Sequence, residues 1–444
     1  MRFLIRRERL SKILKIAVPI VLGMISQNVL NLVDIGFVGQ LGDASQAAVG
    51  MGSFANWLLV SFLLGLGSGV QATAARRLGE GKLGETAGGL NAALSIALAI
   101  GVPAAFVGIT FAEPLFGFLN DDPTVVSLGA GYLAARFAGT PFTAANVAFR
   151  GYWNGTNRSA VYLFTIVIMH IVNIVLDWGL IFGNLGLPKM GVAGAGWATS
   201  ISVAVGTCLY IGLGLTLARG GGFLKLAGLA KTLPTVLRLS IPAGLQQLLF
   251  SAGFVMFFYI AGQVGTRTLA ASTILINLAL VCVLPGVGLG LAGASLVGQA
   301  LGRKDLADAR RWGWEVAALG SLVMGSLGLV LLLGNRVWLG ILTDSEETIA
   351  LAVVPLMIFA GAQFLDGVGV VLTNVLVGVG DVMWAFALNF TAQWVLFLPV
   401  AWFFAVHLEY GMIALWVGMA GYRAVLAGLL AARFHFGSWT KARA

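Results

Sequence analysis

The stretch KILKIAVPI at residues 12–20 returns in altered form as TVLRLSIPA at residues 235–243. Two further pairs of segments keep the same offset along the chain, without a gap. These are VGQLG (38–42) with AGQVG (261–265), and RRLGEGKLGE (76–85) with QALGRKDLAD (299–308). Self-similarity at one fixed period is typical of a duplicated structural unit. The sequence therefore predicts a fold built from two equivalent halves, related by the offset from Lys12 to Thr235, which we call the repeat offset.

The composition places both halves in a membrane. Of the 444 residues, 59% are hydrophobic and only 10% are charged, whereas soluble domains carry about 25% charged residues. Apolar runs of roughly 20 residues, the length that crosses ~30 Å of hydrocarbon as an α-helix, recur along the chain. We predict twelve spans, at 13–38, 46–74, 88–112, 126–149, 160–183, 190–217, 236–262, 269–298, 312–335, 347–377, 382–406 and 411–433. The expected fold class is an all-α polytopic membrane protein.

Each half receives six of these spans. An even number of spans returns the chain to the same side of the membrane, so we expect two parallel six-helix repeats (6+6) around a central cavity. The predicted organisation is an N-terminal lobe at 1–218, a cytoplasmic linker at 219–235 and a C-terminal lobe at 236–444. Two such lobes suit alternating access by rocking, which favours a transporter over a channel or an inert scaffold.

The distribution of charge sets the orientation. The net charge is +9, but 22 of the 27 Lys and Arg residues fall on one side of the predicted spans. Such an excess is the positive-inside signal of membrane topology. It indicates contact with membrane lipids and no nucleic-acid partner. We expect a multi-pass protein of the cytoplasmic (inner) membrane with both termini in the cytoplasm.

Polar side chains follow one face of the first span. Gln27, Asn31 and Asp34 are four and three residues apart, so they share a helix face. At the repeat offset from them, the second half carries Phe250, Phe254 and Phe257. The first half alone therefore keeps an ionisable group at this position.

The fifth span carries a second polar face. His170, Asn173 and Asp177 share a face there, and helix arithmetic puts Asp34, Asp177 and Thr199 of the sixth span at ~8, ~9 and ~12 Å below the outer surface. Isolated charges at such depth are costly, so the carboxylates should share protons, hydrogen bonds or a cation. We interpret this layer as a coupling site for H⁺ or Na⁺. For His170 a satisfied packing role stays open, as does a bond from Gln27 to a neighbouring helix.

The aromatic face of the seventh span has two interpretations. Phe250, Phe254 and Phe257, with Met256 nearby, suit flat hydrophobic cations through cation–π contact. A packing or lipid-facing stripe is the alternative. Because the equivalent face in the first half is polar, we favour lining of a substrate cavity.

Catalytic chemistry has no support in the sequence. It contains no Walker motif, zinc-ligand cluster or Ser-His-Asp arrangement. Cys208 and Cys282 lie inside spans and form no redox or metal motif. We therefore expect a secondary transporter, not an enzyme, without a cofactor.

Several segments in order resemble the MATE (multidrug and toxic compound extrusion) transporters over nearly the whole chain. They are AVPIVLGMISQNVLNLVDIGFVGQLG, RRLGEGK, RGYWNGTN, NIVLDWGLIFG with GVAGAGWATS, SIPAGLQQ and LVGQALGR. The resemblance implies a coupling site at Asp34, Asn173, Asp177 and Thr199, and a helix bend at Pro19. It also implies an antiporter that exports organic, often cationic amphipathic small molecules in exchange for H⁺ or Na⁺. We expect the protein to be a monomer.

The second half departs from one branch of that family. NorM-like members carry an acid on the seventh span, but LLFSAGFVMFFYIAG has none; Asp366 in AQFLDGVGV fits a NorM-like aspartate on the tenth. The chain is closer to the DinF-like pattern, with Asp366 as a mixed feature. Asp366 is expected either to meet a substrate cation or to pair with Arg423.

A lipid-linked saccharide flippase of the same superfamily fold is the alternative function. Such a protein needs several basic residues for a pyrophosphate headgroup, whereas only Arg136 and Arg423 lie within the predicted spans. Twelve spans also favour the antiporter.

Overall fold

The computed structural model describes residues 5–441, and these residues form helices joined by short loops, with no strand. The helices are α1 Arg7–Gly39, α2 Asp43–Gly79, α3 Gly88–Thr110, α4 Ala112–Leu119, α5 Pro123–Ala138, α6 Thr140–Gly155, α7 Ser159–Phe182, α8 Val192–Leu213, α9 Leu229–Val264, α10 Thr266–Gly302, α11 Leu306–Leu333, α12 Asn335–Leu342, α13 Glu346–Gly378, α14 Val382–Phe390, α15 Leu398–Trp402 and α16 Gly411–Phe436. The expected all-α class is confirmed.

The long helices account for the predicted membrane spans. Within the described residues, 11 helical segments are long and apolar enough to cross a membrane. The remaining predicted span, 126–149, is present as α5 and α6, two helices of 16 residues each. A twelve-helix 6+6 arrangement is consistent with this set. Because α9 already begins at Leu229, the end of the predicted linker 219–235 is helical.

The break between α5 and α6 lies at Gly139. Pro141, in the first turn of α6, has no amide hydrogen to continue the helical ladder. The amide of Gly139 instead bonds the carbonyl of Arg136 at 3.1 Å, which frees the carbonyl of Ala135. The hydroxyl of Ser200 on α8 donates to that carbonyl at 2.7 Å. A side chain thus compensates for the broken backbone, as a buried carbonyl requires.

The chain packs into two compact units. The N-terminal unit comprises Leu22–Leu78 and Lys82–Gly244; the C-terminal unit comprises the described residues up to Val21, Gly79–Gly81 and the described residues from Leu245. The division falls after Val21 in α1 and after Gly244 in α9, which are equivalent positions of the two repeats. Each point lies just beyond a proline, Pro19 or Pro242, yet both helices continue through it. The boundaries of the two compact units therefore differ from the boundaries of the two sequence repeats.

Close helix packing holds the N-terminal unit together. A Cβ on Gly151 of α6 would lie 2.2 Å from the carbonyl oxygen of Gly67 on α2, so only glycine fits there. Phe149 beside it stacks on Tyr210 of α8, with ring centroids 5.1 Å apart. Small residues at helix crossings let backbones approach closely, which is the main source of attraction between helices in lipid.

Ion pairs fix the start of α1 in the C-terminal unit. Arg9 bonds Asp308 at 2.6 Å and also pairs with Glu315, both on α11. The guanidinium carbon of Arg9 lies 3.4 Å from the ring centroid of Trp312, a cation–π contact. The first turns of α1 are therefore anchored to α11.

Candidate functional site

The polar faces of α1 and α7 meet inside the N-terminal unit. The ring of His170 on α7 lies between two α1 side chains: Ser26 Oγ is 2.6 Å from Nδ1, and Gln27 Oε1 is 3.2 Å from Nε2. An amide oxygen only accepts, so Nε2 carries the hydrogen and Nδ1 accepts from Ser26. Gln27 Nε2 in turn donates to Asn31 Oδ1 at 3.2 Å. His170 is buried with both ring nitrogens bonded, and it links the two helices.

Two carboxyl groups form the centre of the site. Asn173 and Asp177 on α7 are only 0% and 1% exposed, and Asn173 Nδ2 donates to Asp177 Oδ2 at 3.0 Å. The carboxyl groups of Asp177 and the half-buried Asp34 on α1 lie in hydrogen-bond contact with each other. Oδ1 of each is buried and receives no donor from the protein. Two ionised carboxylates repel, so this contact needs a shared proton or a cation.

Arg136 is the third charge of this layer. It lies in the last turn of α5, just before the break at Gly139, and its guanidinium attracts both Asp34 and Asp177. Its Nε is buried and makes no hydrogen bond. Sequence reasoning counted Arg136 only as a basic residue within a span and missed its place here. An arginine three residues before the Gly-Thr-Pro segment 139–141, inside an apolar run, is the signal that pointed to it.

The predicted site also includes Thr199 and several oxygen atoms that could bind a cation. Thr199 is half-buried, and its hydroxyl donates to the carbonyl of Ala195 on its own helix at 3.0 Å, not to a carboxylate. Asn173 Oδ1 is buried and, like the two carboxyl oxygens, has no partner. Within residues 5–441, no group of three or more His, Cys, Asp or Glu side chains is arranged to hold a metal ion. The buried oxygens without a hydrogen-bond partner are thus on Asp34, Asp177 and Asn173, and these are available to a cation.

The aromatic residues of α9 divide into two groups in the C-terminal unit. Phe257 is 1% exposed, and its ring packs against Phe397 at 6.2 Å and Trp416 at 5.8 Å. Phe250 and Phe254 are half-buried and meet edge to face at 5.0 Å. Met256 is 39% exposed. The structure thus places Phe257 within a packed cluster, whereas the other three keep accessible surface.

Asp366 and Arg423 form an ion pair. Arg423 Nη2 on α16 donates to Asp366 Oδ2 on α13 at 2.7 Å, and the two side chains are only 16% and 6% exposed. Of the two roles that the sequence left open for Asp366, the structure shows the pairing with Arg423.

A comparison with protein-family models agrees with the internal repeat predicted from the sequence. The chain matches the family model described as MatE over residues 19–178 and again over residues 242–403. The two matches begin at Pro19 and Pro242, which are equivalent positions of the repeated segments.

The similarity to known proteins extends over nearly the whole chain. It is 29% identical over 436 residues to a protein named probable multidrug resistance protein NorM of Bradyrhizobium diazoefficiens, covering 95% of this chain and 92% of that protein. It is 25% identical to probable multidrug resistance protein YoeA of Bacillus subtilis, covering 96% and 93%.

Solved structures show the same fold. An aspartate-to-asparagine variant of the Vibrio cholerae MATE transporter VcmN superposes with a TM-score of 0.88 at 19% identity, covering 97% of both chains. A transporter of the MOP superfamily from Pyrococcus furiosus gives 0.86 at 23% identity, covering 97% of this chain and 96% of that one. With the family model matched over more than half of its length, the chain belongs to the MatE family, whose transporters its sequence resembles.

Proposed function

We propose that this protein is a cation-coupled antiporter that exports organic, often cationic amphipathic compounds by alternating access. The relatives named as multidrug resistance proteins support the class of function, which is transport and not catalysis. The observation that carries the coupling is the contact between Asp34 and Asp177, whose buried Oδ1 atoms have no donor. Such a pair is stable only when it holds a proton or another cation.

Antiport requires that cation and substrate compete. In the proposed cycle, an outward-open state loads H⁺ or Na⁺ at Asp34 and Asp177, which weakens substrate binding and favours return to the inward-open state. Linkage makes this coupling reciprocal, so bound substrate must weaken cation binding by the same factor. Asn173 holds Asp177 in place, and His170 with Gln27 and Asn31 orients the α1 face that carries Asp34.

Substrate recognition is proposed on the accessible aromatic face of α9. Phe250 and Phe254 offer ring surface to a flat cation, worth about 0.5–2 kcal/mol per favourable ring, and Met256 adds polarizable surface. Phe257 supports this face from within its packed cluster. Because α9 carries no acidic residue, we propose coupling in the N-terminal lobe alone, as in the DinF-like pattern. The protein is proposed to act as a monomer in the inner membrane with both termini cytoplasmic.

A lipid-linked saccharide flippase gains no support from the two span arginines. Arg423 is bonded to Asp366, and Arg136 is attracted to Asp34 and Asp177. A pyrophosphate headgroup needs basic side chains that are free of acidic neighbours.

The test is efflux of a cationic dye, ethidium, from proteoliposomes under an imposed pH gradient alone and then a Na⁺ gradient alone. Asp34→Asn is expected to abolish gradient-driven efflux. Asp43→Asn is the matched control, because Asp43 is an exposed carboxylate at the start of α2, and it should transport like wild type. Undiminished efflux by Asp34→Asn would overturn the coupling role, and lack of efflux by wild type under both gradients would favour the flippase.

A further inference from the structure

A small cavity lies between α9 and the segment that follows α14 in the C-terminal unit. It has room for one water-sized group, about 10 Å³. Its walls combine aromatic rings with three uncharged amide side chains, those of Gln246, Asn389 and Gln393. Among the described residues, no acidic or basic side chain lines it. The cavity is therefore polar without carrying a charge, unlike the carboxyl site of the N-terminal unit.

The three amides offer hydrogen-bond acceptors. Gln246 is only 7% exposed, and its Oε1 is buried without a partner. The other two amides already use a donor on a helix carbonyl: Asn389 Nδ2 bonds Ala385 at 2.8 Å, and Gln393 Nε2 bonds Phe250 at 3.2 Å. Their oxygens are thus the ends that can receive an N–H group. Because a buried acceptor without a donor is costly in an apolar medium, the cavity favours a ligand that donates hydrogen bonds.

A π-helical segment, Thr391–Phe397, brings one of these amides to α9. Gln393 and its neighbour Trp394 donate to consecutive carbonyls of α9, and Trp394 Nε1 bonds the carbonyl of Leu249 at 3.1 Å. A Cβ on Gly253 would lie 2.1 Å from Gln393 Nε2, so the glycine leaves room for this amide. Such π-helical turns occur frequently at functional sites. The wall that carries Gln393 is therefore held in place by α9.

The repeat relates this cavity to the polar face of the first half. At the repeat offset, Gln393 is equivalent to His170, and Phe250 is equivalent to Gln27. Both pairs are in contact: His170 Nε2 is 3.2 Å from Gln27 Oε1, and Gln393 Nε2 is 3.2 Å from the carbonyl oxygen of Phe250. The duplicated position keeps its hydrogen bond, but a neutral amide replaces the ionisable ring. This change fits recognition of a substrate group and not of a coupling ion.

Stacked aromatic rings form another wall of the cavity. The ring centroids of Phe386 and Phe390 are 6.0 Å apart, and those of Phe390 and Trp394 are 6.4 Å apart. With Phe250, which also lines the cavity, these rings offer flat apolar surface to an aromatic molecule. The space beside them limits the size of the polar group. A primary amino group is about as large as one water molecule, whereas a dimethylamino group is too large to enter.

We propose that this cavity, which we call the amide cavity, is a substrate subsite that selects flat aromatic cations carrying a primary amino group. The inference rests on the proposed function, because it needs substrate to bind at the aromatic face of α9. The amino group donates its N–H bonds to the amide oxygens while the ring system lies against the aromatic wall. A substrate whose nitrogen atoms are fully alkylated binds without this contribution.

The experiment measures equilibrium binding of two dyes that differ at their nitrogen atoms. Rhodamine 123 and tetramethylrhodamine methyl ester share a cationic ring system and a methyl ester, but only rhodamine 123 carries N–H groups. Fluorescence anisotropy gives the Kd of each dye for purified wild type, Gln246→Leu and a control, Gln247→Leu. Gln247 is a half-buried amide next in sequence that lies outside the lining of the cavity. The readout is the Kd of the methylated dye divided by the Kd of rhodamine 123.

Gln246→Leu should lower this ratio about tenfold by weakening rhodamine 123 alone, since it removes a hydrogen-bond acceptor. The control should keep the wild-type ratio. Asn389→Leu covers the case in which Gln246→Leu does not fold, and it should also lower the ratio, because Asn389 bonds only its own helix.

A purely structural role for these amides would weaken both dyes together, and an unchanged ratio in the folded variants overturns the proposal. Wild type that binds neither dye also overturns it. Full efflux by Asp34→Asn would instead overturn the coupling in the proposed function, whatever the ratio of the two dyes.

Discussion

The ion pair between Asp366 and Arg423 offers a quantitative test of whether this aspartate is structural. Both side chains are nearly buried, 6% and 16% exposed, and they are joined by one hydrogen bond of 2.7 Å. Pairs on a protein surface contribute about 0–1 kcal/mol. Breaking a buried pair from one side costs about 3–5 kcal/mol, because the remaining charge is left without compensation.

Three variants separate the contributions to the free energy of unfolding. Arg423→Met leaves a buried carboxylate, and we expect a loss of about 3–5 kcal/mol. Asp366→Asn removes the counter-charge of Arg423 but keeps an amide oxygen that still accepts its hydrogen bond, so its loss should be smaller, about 1–3 kcal/mol. Replacing both residues by leucine should restore most of the stability, since two apolar side chains need no partner.

The assay is unfolding in mixed detergent micelles with increasing sodium dodecyl sulfate, monitored by tryptophan fluorescence, together with ethidium efflux from proteoliposomes. The double leucine variant should keep most of its efflux. If Asp366→Asn unfolds like wild type but no longer transports ethidium, the structural interpretation is refuted and Asp366 acts on the substrate.

Two further predictions concern packing in the N-terminal unit. Gly151→Ala should lower the free energy of unfolding by about 1–3 kcal/mol, because the new Cβ would lie 2.2 Å from the oxygen of Gly67. Gly212→Ala, where nothing lies within 4 Å of the added Cβ, should be neutral or slightly stabilising. Ser200→Ala removes the donor to the carbonyl at the helix break and should cost about 1–3 kcal/mol. Ser202→Ala, whose hydroxyl bonds only its own helix at 2.8 Å, should cost less; equal effects would contradict the role of Ser200.

Much of the fold follows from patterns that the sequence displays directly. Hydrophobic length identifies the spans, and the constant repeat offset pairs the two halves before any contact is known. The polar faces were also predictable, since residues three and four apart share a helix side. Their contact between α1 and α7 is what the structure adds, with His170 placed between Ser26 and Gln27.

Other features depend on information that hydropathy lacks. The break at Gly139 lies inside an apolar run, and apolar character does not report which carbonyl has lost its amide partner. Helical spacing of aromatic residues does not separate Phe257 in a packed cluster from Phe254 with accessible surface. The helix α9 begins at Leu229, before its apolar core. Hydropathy did not predict this start, because it detects the length of a span that lies in lipid and not the end of a helix. The two acids that Arg136 attracts, Asp34 and Asp177, lie on helices far from it in sequence.

The most direct test of the account is equilibrium binding of ethidium to purified protein at rising proton and rising Na⁺ concentrations. Competition at Asp34 and Asp177 predicts that ethidium affinity weakens as the coupling cation rises, and that Asp34→Asn loses this dependence. Linkage requires the same coupling in reverse, so ethidium binding should release the cation from wild type. Ethidium affinity that is independent of both cations, or that depends on them equally in wild type and Asp34→Asn, would contradict the coupling site.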